Sequence, residues 1–118
     1  MKMERTDYYS LRYRESDSLH KAGERIVASK DVVRIGQQPD CEVSIPNESF
    51  YIDELFAIIR PCIHTKGWQL IPMSEFVKVR VNGTDVTLVH YLADGDRITF
   101  DDCRQELLFN VRNDSNYN

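Results

Sequence analysis

Apolar and polar positions alternate with a period of two along most of the chain. Tyr9, Leu11 and Tyr13 alternate with Ser10, Arg12 and Arg14, the pattern of a strand that turns one face inward. Comparable short runs occupy residues 25–27, 32–35, 41–45, 56–63, 68–71, 77–81, 86–89, 98–100 and 107–111. Turn chemistry separates them: Lys21-Ala22-Gly23, Pro39-Asp40, Pro46-Asn47, Lys66-Gly67, Asn82-Gly83, Asp94-Gly95-Asp96 and Asp101-Asp102. About ten to eleven short strands, with a turn every ~8 to 12 residues, predict an all-β fold, an antiparallel β-sandwich. Val43, Ile45, Ala57, Ile59, Trp68, Leu70, Val81, Leu92, Ile98 and Phe109 form the expected core. Residues 49–56 suit one helical turn and no longer helix competes. One domain over residues 7–112 is expected, with flexible termini at 1–6 and 113–118.

The formal net charge of -4 argues against nucleic acid as the main partner. No apolar stretch approaches the ~20 residues that a bilayer demands, so no membrane insertion is expected. The start, MKMERTDYYSLRY, lacks the apolar centre of a secretory signal, and a cytoplasmic location is expected.

Three cysteines, Cys41, Cys62 and Cys103, are odd in number and have no CxxC spacing, so they read as small hydrophobes. Cys62 and His64 sit two apart on an expected strand, but no second ligand pair accompanies them, and neither a metal nor a cofactor is expected. His20 and His90 have no nucleophile near them in sequence. No hydrolase elbow, P-loop, dinucleotide fingerprint or HExxH is present. With no nucleophile, base and electrophile to bring together, the chain is expected not to be an enzyme.

The stretch VVRIGQQPDCEVSI raises the question of an anion site, because a Gly opens its turn and Arg34 stands beside it. It is the first of five pieces in order: IG with CEVSI, then FAII, GWQL, VNG and YLADGDRITF. In that order and spacing, over about residues 8–111, the chain resembles the forkhead-associated (FHA) domain family. The resemblance implies an eleven-stranded β-sandwich of the SMAD/FHA type, a protein-interaction module whose loops at one end recognise phosphothreonine peptides. In the family an Arg follows the first Gly, a Ser and a His three residues apart open the next strand, and an Asn precedes a later Gly-Thr.

Carried over residue by residue, the Arg position falls on Gln37, the Ser on Asp53 and the His on Phe56. The second loop's Ser, Asn and Gly fall on Glu75, Val77 and Lys78. Scaffold positions match instead: Gly36, Asn82, Gly83, Gly95 and Asp96 sit where the family has its turns. A phosphate brings about -1.5 to -2 charges, and Asp53, Glu54 and Glu75 would oppose it. The reading is therefore a protein-binding module of FHA type in which phosphothreonine recognition is lost and phosphorylation dependence is not expected. The alternative is a phosphopeptide- or anion-binding regulatory domain of a larger signalling or secretion protein, with Arg34 and Arg80 as substitute cations. Partner identity and oligomeric state stay open at this level.

Overall fold

The computed structural model describes residues 7–46 and 54–113. Eleven strands and no helix occur among them: β1 (Asp7–Tyr13), β2 (Arg25–Ala28), β3 (Val33–Gly36), β4 (Val43–Ser44), β5 (Leu55–Pro61), β6 (Trp68–Pro72), β7 (Val79–Val81), β8 (Thr84–Val86), β9 (His90–Tyr91), β10 (Arg97–Phe100) and β11 (Leu107–Asn113). A six-stranded sheet in the order β2-β1-β11-β10-β7-β8 packs on a five-stranded sheet in the order β4-β3-β5-β6-β9. The expected β-sandwich is what forms. Its pairing is mixed in one place, because β3 and β4 run parallel, with Ile35 opposite Val43. The connecting loop is folded back along the sheet: Cys41 N–H donates to Gln38 O at 3.1 Å and Ile45 N–H to Gly36 O at 2.8 Å.

All ten expected core residues are buried. Tyr9 binds the two sheets together, its ring edge-on to Trp68 at 5.1 Å and tilted against Phe109 at 5.1 Å. Trp68 satisfies its indole by donating Nε1–H to Ser29 O at 2.8 Å, as a buried tryptophan requires.

Four local expectations differ from the structure. In β2 the inward positions are Ile26 and Ala28, which pack against the core, and Val27 is exposed. Residues 62–64 are not strand; Cys62 N–H closes a turn onto Gly67 O at 2.9 Å, leaving Cys62 buried and His64 exposed, so the two do not share a face. The 86–89 run is split, because β8 ends at Val86 and the chain bends across to the other sheet before β9. Of the single turn expected at 49–56, residues 49–53 lie outside the described residues, and Leu55 and Phe56 belong to β5.

Two of the turns that position strands are set by positive φ. Asn82 and Gly83 have φ of 53° and 84°, the double left-handed geometry of a two-residue hairpin, and they join β7 to β8. Gly95 has φ of 91°. Gly36 serves differently, since its φ is not positive and a Cβ there would lie 2.5 Å from Glu54 O and 3.0 Å from Leu55 Cα. The ladder shifts at this point: Ile35 faces Ala57 while Gly36 faces Leu55, so Phe56 is the extra residue of a β-bulge. That bulge turns consecutive residues, Phe56 and Ala57, toward the core.

The turn before β10 is fastened by Asp96. Its carboxylate accepts from Ala93 N–H at 2.8 Å, His90 Nε2 at 2.9 Å and Asn82 Nδ2 at 3.0 Å. Burial alone would raise the Asp96 carboxyl, and these bonds outweigh it and hold the group below its ordinary value.

A side chain at Gly95 meets no neighbour within 4 Å, so Gly95→Val reports the cost of φ alone, about 1–3 kcal/mol. Gly36→Ala reports crowding instead, again about 1–3 kcal/mol. Both are expected to lower the urea midpoint, with Gly67→Ala, at an uncrowded site, unchanged. Because the folded Asp96 is depressed, its contribution is full above the unfolded value of about 3.9 and fades as pH falls through the folded one. Acid unfolding of Asp96→Asn should accordingly show a shallower loss of stability below about pH 4 than the parent, measured by urea titration at each pH.

Candidate functional site

The strand registers gather several loops at one end. Gly36 at the close of β3 lies opposite Leu55, and Ala57 lies opposite Pro72 at the close of β6. Val79 at the start of β7 lies opposite Phe100 at the close of β10. Gln37, Ile45, Glu54 and residues 73–78 and 101–106 therefore leave the sandwich at the same end. By the same registers Asn82, Gly83, Gly95 and Asp96 lie at the opposite end, as scaffold.

Glu54 is the hub of the described part. Its carbonyl accepts Gln37 N–H at 2.8 Å, and its carboxylate accepts the Ser74 hydroxyl at 3.2 Å. Ser74 Oγ in turn accepts the N–H groups of Phe76 and Val77, each at 3.0 Å, the local side-chain-to-backbone turn that serine favours. Ser74 was not singled out from the sequence, where the family spacing pointed one residue later to Glu75. A Ser followed by a bend without Gly was the available signal.

The carried-over positions divide by burial. Phe56 is fully buried, 5.0 Å centroid to centroid from Phe100 of the other sheet. Val77 is 5% exposed and belongs to the core cluster. Neither side chain is available to a ligand. Glu75 and Lys78 are exposed, and Gln37 is half-buried, its Oε1 buried with no hydrogen-bond partner among the described residues. Asp53 lies outside the described residues.

Both candidate cations already hold carboxylates. Arg34 donates through Nη1 to Asp40 Oδ2 at 2.8 Å, through Nη2 to Asp40 O at 2.7 Å and Glu42 Oε2 at 2.9 Å, and through Nε to Glu42 Oε1 at 3.3 Å. Glu42 Oε1 also accepts the Arg34 backbone N–H at 2.8 Å. The hydrogen bond from the Arg34 side chain is the main cause that holds the Glu42 carboxyl down to about 2, and the same pairing raises Arg34. Arg80 lies between Asp101, 2.5 Å from Nη1, and Asp85, 2.9 Å from Nε. The Asp101 carboxyl is lowered chiefly by its bond from Arg80. Lys78 Nζ makes only a 3.9 Å approach to Asp85.

One histidine joins this end without having been foreseen. His20 stacks on Tyr13 with centroids 3.8 Å apart. Its Nε2 lies 3.0 Å from Ser44 O and its Nδ1 3.2 Å from Glu24 Oε2, which ties the β1–β2 connection to β4. Among the described residues no group of three or more His, Cys, Asp or Glu is placed to hold a metal ion. The guanidiniums of Arg34 and Arg80 are thus already neutralised by carboxylates, while Lys78 and Arg104 at the same end are exposed. At Arg34 or Arg80 a phosphate has to break an existing pair to gain the cation.

No protein-family model and no curated protein matches the sequence significantly. Solved structures do resemble the fold. An FHA domain from a structural and functional study of phosphothreonine-dependent interactions superposes with a TM-score of 0.67 at 19% identity, over 87% of this chain and 95% of the other. The MEK1 FHA domain in complex with a HOP1 phosphothreonine peptide gives 0.67 at 16% identity, over 89% and 97%. The FHA domain of a hypothetical protein of Arabidopsis thaliana gives 0.71 at 16% identity, over 89% and 86%. With two sheets of six and five strands in this order, the chain has the fold of the forkhead-associated domain.

Proposed function

We propose that the chain is a non-enzymatic protein-interaction module in which phosphothreonine is no longer the recognised feature. The observation that carries this is the state of the loop-end arginines: Arg34 and Arg80 each hold two carboxylates. Charge-assisted contacts to phosphate contribute ~1.5 to 3 kcal/mol each, out of ~8 kcal/mol for micromolar binding. Exchanging a carboxylate for a phosphate at Arg34 returns little, because Glu42 stays ionised and near. Gln37, at the family's arginine position, offers an uncharged amide. The likeness to FHA domains solved with phosphopeptides supports an interaction role, and the side chains at the loop end support the loss of its phosphate dependence.

The test is fluorescence anisotropy with a phosphothreonine peptide library and its unphosphorylated copy at moderate salt. Equal binding by both is expected. Asp40→Asn with Glu42→Gln removes the charges that hold Arg34 and should introduce at least a several-fold preference for the phosphorylated peptides. Phosphate-dependent micromolar binding by the parent, abolished by Arg34→Ala or Arg80→Ala, would instead establish the anion-binding reading with substitute cations. Val77→Asn is not a useful restoration, since it places an amide among buried apolar side chains.

A further inference from the structure

Among the described residues the sandwich has four sheet edges, and three of them carry the charges or proline that discourage pairing with another chain. β2 has Arg25, β4 lies between Glu42 and Pro46, and β8 has Asp85. β9 has none: His90 and Tyr91 and the residues around them, Thr87 to Ala93 (TLVHYLA), include no Asp, Glu, Lys, Arg or Pro. Around it stand exposed apolar groups, with Leu88 80%, Tyr91 61% and Val89 41% exposed. Met73, 49% exposed, continues from the neighbouring strand β6.

The register identifies which backbone groups are unpaired. His90 lies opposite Leu70 and Tyr91 opposite Gln69, and Leu92 N–H donates to Trp68 O at 3.0 Å. Hydrogen-bonding residues alternate along an antiparallel strand. His90 and Leu92 therefore face β6, while the N–H and C=O groups of Tyr91 face away from the sheet, and continuing the alternation one residue ahead of β9 turns those of Val89 the same way. Among the described residues β6 is the only strand paired with β9.

We propose that this edge pairs antiparallel with the same edge of a second copy, about a two-fold axis at His90, joining two five-stranded sheets into one. The axis places Val89 opposite the partner copy's Tyr91, and the reverse. Both are outward-facing hydrogen-bonding positions, so the two pairs exchange four backbone hydrogen bonds. Each also sets an aromatic against a β-branched side chain, a favourable cross-strand pair. On the outer face Tyr91 then continues, through the second copy's Val89, toward its Ile71 and Ile58, which neighbour one another in register. A second copy suits the edge better than a charged partner, because the strip has no Asp, Glu, Lys or Arg to complement, and His90, which meets its own copy on the axis, keeps its Nε2 on its own Asp96. With aromatic side chains offering ~150–250 Å² each, the pair buries on the order of 700 Å² in total, below the ~1,200 Å² of standard stable interfaces. The dimer is a weak one.

Sedimentation velocity of the full chain from about 10 µM to about 1 mM should show the average mass rising toward twice that of the monomer, as for a dissociation constant in the high-micromolar range. Because each copy carries a net charge of -4 and the contact is apolar, added salt should strengthen it. Val89→Lys and Tyr91→Glu should each weaken association at least tenfold without moving the urea midpoint. Their combination in one chain sets Lys against Glu across the axis twice and should regain most of the loss; Val27→Lys at the β2 edge should change nothing. Hydrogen exchange on the unaltered chain gives an independent reading, with the amides of Val89 and Tyr91 becoming protected as concentration rises. A monomer at every concentration overturns the proposal and leaves the edge to a strand from a different protein. A dimer that survives both single substitutions, or one not regained in the combination, overturns it as well.

Discussion

At Gly36 two backbones pass so closely that no side chain fits between them, and the loop end is built on that approach. A Cβ would fall 2.5 Å from Glu54 O, well inside contact distance. With the gap closed, Gln37 N–H reaches Glu54 O at 2.8 Å, and the residues that follow β3 and precede β5 are joined there through main chain. The side chain at position 37 is then free to differ without this junction being lost. This accounts for a scaffold that keeps the FHA fold while Gln37 stands at the family's arginine position.

The same approach fixes the bulge, and the bulge decides what Phe56 does. An extra residue in β5 puts Phe56 and Ala57 on the same side, so an aromatic ring fills the space between the sheets against Phe100. A polar group there would have to be hydrogen-bonded in an apolar surrounding, and a ring needs no such partner. Arg34 supplies the complementary fastening from the next strand. By holding Asp40 and Glu42 it keeps the 37–42 loop folded against the edge of the sheet, where β4 then runs parallel to β3. Its charge serves the loop, and this is the reason it is not available for a ligand.

The sequence reveals the sandwich because burial in a two-layer β fold repeats every second residue, and Val43-Ile45, Ala57-Ile59 and Trp68-Leu70 obey that rule. The rule fails where pairing is irregular. Val27 belongs to an edge strand whose inward positions are Ile26 and Ala28, and nothing in four residues, RIVA, fixes the parity. The 86–89 run reads as a strand by composition, but Asn82-Gly83 starts a hairpin only long enough for three residues, after which the chain must change sheets. The candidate site was less legible. Spacing placed Gln37 and Phe56 by alignment, yet it carries no information on whom Arg34 and Arg80 bind, since Asp40, Glu42, Asp85 and Asp101 meet them through loops and cross-strand neighbours. Ser74 acts through the backbone amides two and three residues on, a local habit of serine that the family spacing, pointing to Glu75, passes over.

The two surfaces differ in kind, and β6 relates them. Its last residue, Pro72, leads into the 73–78 loop with Ser74, and its side edge holds β9 in register. An antiparallel pairing of β9 with its copy makes the strands of the two sheets run in opposite directions across the axis. The loop ends of the two copies then point away from each other, at opposite poles of one ten-stranded sheet. Each stays open to its own partner, and no single compact ligand can contact both. Self-association and loop-end binding are thus geometrically independent, and the pair presents two separated sites, suited to joining two partner molecules more than to gripping one twice.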